Sequence, residues 1–361
     1  MKKLCIVFLL LCIALPTQVF ANEGSLYGRV VILDAGHGIG APGGGRILSA
    51  GYFEHERMFL LAGFIYDELL NRGATVHMTR TCPMDVALPV RPTMMNRWSV
   101  EALLGDRFSR LKKRSTQTHE KHMLIEEIDQ LLASLELLDR IIYNHPVYAP
   151  IYINYPFDYG LQTQIHPSWQ KIFEFQSDPL IRYNWLAISL HSNGTTSPFA
   201  SGADVFFAGN NNPRNRRYFA NYSHEDITEL FGHMLLDGIA QLGIRPNRVR
   251  VHHFMVIRET NLPAVLAENG YHTNEQDRRL LQDDDFMRRL AIVYANTIEE
   301  YFAHINRYRQ QYYENLPSTR KTSAWLSHIG AVRQRARLLI NSPNKADSYT
   351  AHIYYLLQYK F

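Results

Sequence analysis

The sequence predicts an α/β fold: a single domain on a central, mostly parallel or mixed sheet flanked by helices, with a helical insertion and a C-terminal extension. Three observations predict it. Apolar, β-branched runs end abruptly in polar residues, amphipathic helical stretches lie between them, and the composition is that of a folded chain, 46% hydrophobic and 20% charged over 361 residues. A formal net charge of +4 is too small to mark a nucleic-acid binder. The three cysteines, Cys5, Cys12 and Cys82, exclude a four-thiolate metal site and argue against a disulfide framework.

Residues 1–21 read as a signal peptide. Lys2 and Lys3 precede an apolar stretch from Leu4 to Leu15, and Val19-Phe20-Ala21 fits the small-residue cleavage rule. The chain is therefore expected to be exported, to act in the periplasm or cell envelope, and to keep no integral membrane segment, the apolar stretch being short for a span. Cys82 is then alone and expected as a small packed residue.

The first strand is read at Arg29 to Asp34 (RVVILD), running into Ala35-Gly36-His37-Gly38. After the glycine-rich loop Gly40 to Gly45, a helix from Glu54 to Arg72 places Phe59, Ala62, Ile65 and Leu69 on one side and stops at Gly73. Thr75 to Thr79 alternates like a strand. These elements make residues 22–98 the first part of the catalytic domain. Residues 99–182 break the pattern and are read as an insertion, with a long amphipathic helix from about Glu120 to Tyr143 striped by Leu124, Ile128, Leu131, Leu135, Leu138 and Ile142. Residues 183–302 resume it: Trp185 to Leu190 runs into His191-Ser192-Asn193, Pro263 to Ala267 runs into Glu268-Asn269-Gly270, and helices are expected over Asp226 to Leu242 and Asp285 to Phe302. Residues 303–361 form a Tyr-rich extension with nine Lys and Arg against two acids, so the basic charge is local to the tail and the rest of the chain is acidic.

In open α/β sheets, ligands bind outside the carboxyl ends of the strands. That edge here carries His37, His191 and Glu268. Zinc hydrolases commonly combine three nitrogen and oxygen ligands with a carboxylate base outside the metal shell. His37 and His191 are candidates for the nitrogens, Glu54 for the oxygen, and Glu268 for the general base. With 16 histidines in the chain a lone one would mean little; the shared strand-end placement singles out these two.

Val31 to Gly38 (VILDAGHG) resembles the opening motif of the zinc-dependent N-acetylmuramoyl-L-alanine amidases, bacterial cell-wall enzymes of the Amidase_3 family. Glu54 with its apolar helix, Ile188 to Asn193 (ISLHSN), and Ile257 to Tyr271 (IRETNLPAVLAENGY) with Asn274 and Asp277 downstream are similar to three further motifs in the same order. The resemblance covers about residues 28–98 and 183–302. It implies one zinc ion per chain held by His37, Glu54 and His191, Glu268 as catalytic acid and base, and hydrolysis of the amide between N-acetylmuramic acid and L-alanine in peptidoglycan. Glu56 competes with Glu54 for the ligand position; counting from Glu54 puts the apolar helix and Gly73 at the family's spacing. Asp34 and Asn193 are candidates for orienting the histidines, and Arg258 for meeting an anionic substrate group. A zinc peptidase acting on stem peptides, or a non-catalytic wall-binding regulator on the same fold, are the rival functions. An activator protein is a candidate partner, since some division-associated members carry a helix that plugs the site, a role open here to the helix at 120–143. Departures from the family pattern are the missing aspartate after His37 (Ile39-Gly40-Ala41-Pro42-Gly43) and Asn269 where an apolar residue is usual.

Overall fold

A computed structural model describes residues 24–41, 44–148, 167–209 and 222–314. The signal peptide read at 1–21 and the extension beyond residue 314 lie outside the described residues.

The elements follow in chain order: strand β1 (Val30–Ala35), a small hairpin of β2 (Arg46–Ile47) and β3 (Tyr52–Phe53), helix α1 (Glu54–Asn71), β4 (Thr75–Met78), then four helices, α2 (Val90–Lys112), α3 (Thr118–Tyr148), α4 (Pro167–Gln176) and α5 (Pro179–Asn184). They continue with β5 (Trp185–Asn193), β6 (Ala203–Phe207), α6 (Glu225–Ala240), β7 (Pro246–Val251), α7 (Met255–Arg258), β8 (Ala264–Tyr271), α8 (Glu275–Gln282) and α9 (Asp284–Glu314). Six strands form one sheet in the order β4-β1-β5-β8-β6-β7. The first four run parallel; β6 pairs with β8 antiparallel and with β7 parallel, so the sheet is mixed.

Both faces are covered, as a sheet of apolar strands requires. On one face Val31, Leu33, Leu186, Ile188, Val205 and Val265 pack under α1, α6 and α9. On the other, Ile32, Ala187, Phe206 and Leu266 pack under α2, α3 and α4. Helix α1 buries Met58, Leu61, Ala62, Ile65 and Leu69 at helical spacing; each such aliphatic side chain contributes about 1.5–3 kcal/mol. Phe59, expected in that stripe, is only half-buried and lies under the Arg80 guanidinium, 4.6 Å from the ring centroid. The helix ends as the sequence suggested, with Gly73 at φ +84°, a conformation open to glycine without strain.

The helices of 99–182 are part of the sandwich. The boundary at residue 99 falls inside α2, and α3 buries Leu124 and Ile125 and packs Ile128, Leu131, Leu135, Leu138 and Ile141 into the second core. The stripe closes on Ile141 instead of Ile142, whose side chain is half-buried. Cys82, expected to be packed, is exposed on the loop after β4. No described helix is long and apolar enough to cross a membrane.

Candidate active site

The chemistry-bearing side chains gather at the carboxyl ends of the parallel strands. His37 follows β1, Glu54 opens α1, His191 lies near the end of β5, and Glu268 stands beside His191 in the β5–β8 register. Gly36 permits the approach of two of these strands: a β-carbon there would lie 2.4 Å from the His191 ring.

One ligand atom from each of His37, Glu54 and His191 lies within 4.8 Å of the other two. Glu54 bridges the histidines, Oε1 standing 3.0 Å from His191 Nδ1 and Oε2 3.4 Å from His37 Nε2. Donors at 2.0–2.1 Å from a tetrahedral zinc stand roughly 3.3 Å apart, so donor types and spacing both fit that ion. The carboxylate is buried and fixed from behind by backbone N–H groups, Gly45 donating to Oε2 at 2.7 Å and Ser192 to Oε1 at 3.1 Å. Burial alone would raise the Glu54 carboxyl; the His191 and His37 imidazoles override it and hold the group far below the usual carboxylate range.

Glu268 has the opposite character. Burial, with the negative charges of Glu54 and Asp204 nearby, pushes its carboxyl well above the ordinary value. Its Oε2 is shielded from solvent and has no hydrogen-bond partner among the described residues. The group touches neither imidazole through a hydrogen bond, which leaves it available to an incoming molecule.

Other candidates are placed differently. Glu56 faces solvent, on the outer side of α1. The Asp34 carboxylate accepts from Ser189 Oγ at 2.6 Å, from Thr79 Oγ1 and from Arg91 at 2.8 Å, and makes no hydrogen bond to a histidine. Burial raises the Asp34 carboxyl, and the Arg91 guanidinium and the two hydroxyls outweigh that and hold it below its usual range. Asn193 turns its side-chain oxygen onto the N–H of Gly194 instead of the histidines. Arg258 is buried at the amino end of β8, away from the edge that carries His191, and pairs with Glu259 at 2.8 Å. That position removes it from contact with a substrate at the site. Asn274 caps α8 through the N–H groups of Gln276 and Asp277. The Asp277 carboxylate receives the N–H groups of Gly202 and Tyr271.

The family model described as N-acetylmuramoyl-L-alanine amidase matches residues 182–300, which contain His191 and Glu268. Over that segment the chain is similar to the amidase family. An uncharacterized Bacillus subtilis protein, YqiI, is 26% identical over 117 residues, 32% of this chain and 51% of its own. The sporulation-specific N-acetylmuramoyl-L-alanine amidase of the same organism is 26% identical over 139 residues, 37% of this chain and 50% of its own. The chain thus spans about half the length of the curated relatives it matches. The catalytic domain of CwlV, an N-acetylmuramoyl-L-alanine amidase from Bacillus (Paenibacillus) polymyxa var. colistinus, aligns over 76% of this chain and 98% of its own, at 19% identity and a TM-score of 0.42.

Several side chains that shape the site went unnoticed in the sequence. Arg91 donates to the carbonyls of Ala35 and His37 and to Asp34 and Asp85, and Arg80 donates to the carbonyls of Ala35 and His55. Together they hold the turn in which His37 takes the left-handed φ of +54°, a conformation costing a non-glycine residue about 1–3 kcal/mol. Asp204 stands opposite Glu268 in the antiparallel pair, so a row His191, Glu268, Asp204 crosses three neighbouring strands. Asn269, the departure from the apolar family position, donates to the His191 carbonyl at 3.1 Å and accepts from the Tyr294 hydroxyl at 2.7 Å.

Proposed function

We propose that the chain hydrolyses the amide between N-acetylmuramic acid and L-alanine in peptidoglycan, with His37, Glu54 and His191 holding one zinc ion and Glu268 moving the proton. The observation that carries this is the pairing of a His–Glu–His donor set with a carboxyl on the next strand whose Oε2 is shielded and has no hydrogen-bond partner among the described residues. The family match supports the choice of bond and polymer. The signal read in residues 1–21 supports action in the cell envelope.

A zinc ion bound there supplies Lewis-acid polarisation of the amide carbonyl and makes water a competent nucleophile near neutral pH. Glu268 takes a proton from that water on Oε2 as its oxygen bonds to the carbonyl carbon, and returns it to the alanine nitrogen as the C–N bond breaks. Burial and the neighbouring carboxylates raise its proton affinity, which suits both taking the proton and handing it to the leaving nitrogen. Arg91 and Arg80 keep His37 in place, and Gly45 and Ser192 keep Glu54 aimed between the imidazoles.

The test is to incubate the purified chain with intact sacculi and with disaccharide-peptides, with and without a chelator, and to weigh the products. Free stem peptides with an N-terminal alanine, lost on chelation, are the expected result. Cuts within the stem peptide would move the bond to a peptidase reaction, and intact substrate with the zinc-loaded protein would sink the assignment.

A further inference from the structure

We infer that His272 is a positioning residue for Glu54: its ring, with Tyr52, holds the two backbone N–H groups that fix the carboxylate. The inference rests on the zinc assignment proposed above.

The argument starts from what touches Glu54 from behind. Its two oxygens are held by the N–H of Gly45 and the N–H of Ser192, one each. Gly45 lies on the loop before β2 and Ser192 near the end of β5, so something must keep two distant chain segments in register. His272, just past the end of β8, touches both. Its Nδ1 lies 3.0 Å from Ser192 Oγ and 3.1 Å from the Ser192 carbonyl oxygen. A carbonyl only accepts, so Nδ1 carries the proton and donates. The far edge of the ring packs on Gly45 so closely that a β-carbon there would lie 2.2 Å from Cε1, and it packs on Gly194 with a β-carbon position 2.6 Å from Nε2. Only residues without side chains admit the imidazole at this depth. Tyr52 completes the arrangement: its ring stacks on His272 with centroids 5.5 Å apart, and its hydroxyl donates to Ser192 Oγ at 2.7 Å.

Among the described residues, no side chain of this set hydrogen-bonds to the imidazole of His37 or His191, which separates the set from those metal donors. Its effect is indirect. If the Nδ1 bond is lost, Ser192 is free to shift, and the N–H that holds Glu54 Oε1 shifts with it. Groups that orient a metal ligand from outside the coordination shell typically cost 10–100-fold in metal affinity when removed.

Zinc affinity of the purified full chain, measured by competition with a chromophoric chelator, tests this without recourse to turnover. His272→Leu, which keeps apolar bulk but has no donor, is expected to bind zinc 10–100-fold more weakly than wild type. His272→Asn, which can place an amide N–H near Nδ1, is expected to recover part of that loss, and Tyr52→Phe, which deletes one hydroxyl, to weaken zinc to a smaller extent. Sacculus digestion with saturating zinc is expected to show a lower kcat at unchanged KM. The inference is overturned if His272→Leu and Tyr52→Phe both bind zinc within twofold of wild type, or if Leu and Asn at 272 are equally impaired. Should His272→Leu fail to fold, Tyr52→Phe alone decides. The zinc assignment fails separately, if His37→Ala and His191→Ala leave zinc affinity unchanged.

Discussion

Arg91 offers the sharpest energetic test of how the His37 turn is built. Its guanidinium is buried and all five of its N–H groups are used: onto the carbonyls of Val86, Ala35 and His37 at 2.8, 2.9 and 2.7 Å, and onto the carboxylates of Asp34 and Asp85 at 2.8 and 2.9 Å. Replacing it by Met strands Asp34, which is 1% exposed and would keep only the hydroxyls of Ser189 and Thr79. Removing one partner of a buried ion pair costs about 3–5 kcal/mol, a large share of the roughly 5–15 kcal/mol that holds a domain together. Arg91→Lys keeps the charge but has three donors for five acceptors, and losing two hydrogen bonds costs about 1–3 kcal/mol. Adding Asp34→Asn to Arg91→Met removes the stranded charge and is expected to return at least about 1 kcal/mol, the coupling typical of contacting residues. Urea unfolding at pH 7.5, followed by far-ultraviolet circular dichroism, measures all three. An Arg91→Met protein within 1 kcal/mol of wild type, or a Lys variant as stable as wild type, would show that the guanidinium does not hold this turn.

Further expectations concern charge and packing. Glu268→Gln is expected to keep zinc, measured by mass spectrometry of the metal, and to lose about 10²–10⁴-fold in turnover, the usual contribution of a positioned acid or base; full activity would remove Glu268 from the mechanism. Asp204→Asn takes away one of the charges that raise the Glu268 carboxyl, so the acid limb of the kcat/KM profile should move to lower pH, and an unmoved limb would refute the coupling. Burial lowers His224 from 6.5 to about 4, so the unfolded chain binds its proton first as pH falls. The corresponding stability is complete above pH 6.5 and drains away between 6.5 and 4, by about 2 kcal/mol from pH 7 to 5 at 1.36 kcal/mol per unit; His224→Gln should show a urea midpoint less sensitive to acid over that window, and equal slopes would contradict it. Leu131, fully buried on α3, should cost about 2–5 kcal/mol when cut to Ala, whereas a detachable plug would leave stability untouched and raise basal turnover on sacculi.

How much of this was legible in the sequence depended on whether a residue's role left a pattern. Strands buried on both faces read as continuous apolar runs, so β1, β5 and β8 stood out and delivered His37, His191 and Glu268 to one edge. Strand β7, at the edge of the sheet with Arg248 and Arg250 alternating along it, has no apolar run, and β6 is only five residues long; without them Asp204 could not be set opposite Glu268. Glu54 was accessible because it opens an apolar helix, and the family's spacing from that position to Gly73 favoured it over Glu56. Arg91 had a fainter signal. A positive charge in the first turn of a helix opposes the helix dipole, and such a residue calls for a specific partner that only the tertiary structure supplies. His272 had none, because its ring meets two glycines, a serine and a tyrosine that lie 78 or more residues away.

The segment 99–182 shows how sequence order and structural role can diverge. It interrupts the run of motifs, yet the face of the sheet that displays Ile32, Ala187, Phe206 and Leu266 is covered by α2, α3 and α4, together with Ile181 of α5, Tyr222, and Val256 and Ile257 of α7. The stripe on α3 packs on α2 and α4, and the polar layer beneath them is tied to the loop before β8: Gln176 on α4 donates to Asn96 on α2 at 2.8 Å and accepts from the N–H of Asn261, while Asn96 donates to the carbonyl of Glu259. That loop feeds the strand carrying Glu268. Freeing α3 to move would therefore expose apolar side chains worth about 1.5–3 kcal/mol each, a demand that grows past the stability of a typical domain after only a few of them. A segment bound that tightly acts on the site by fixing the strand beneath it, and a regulator that worked through α3 would have to overcome the second core to do so.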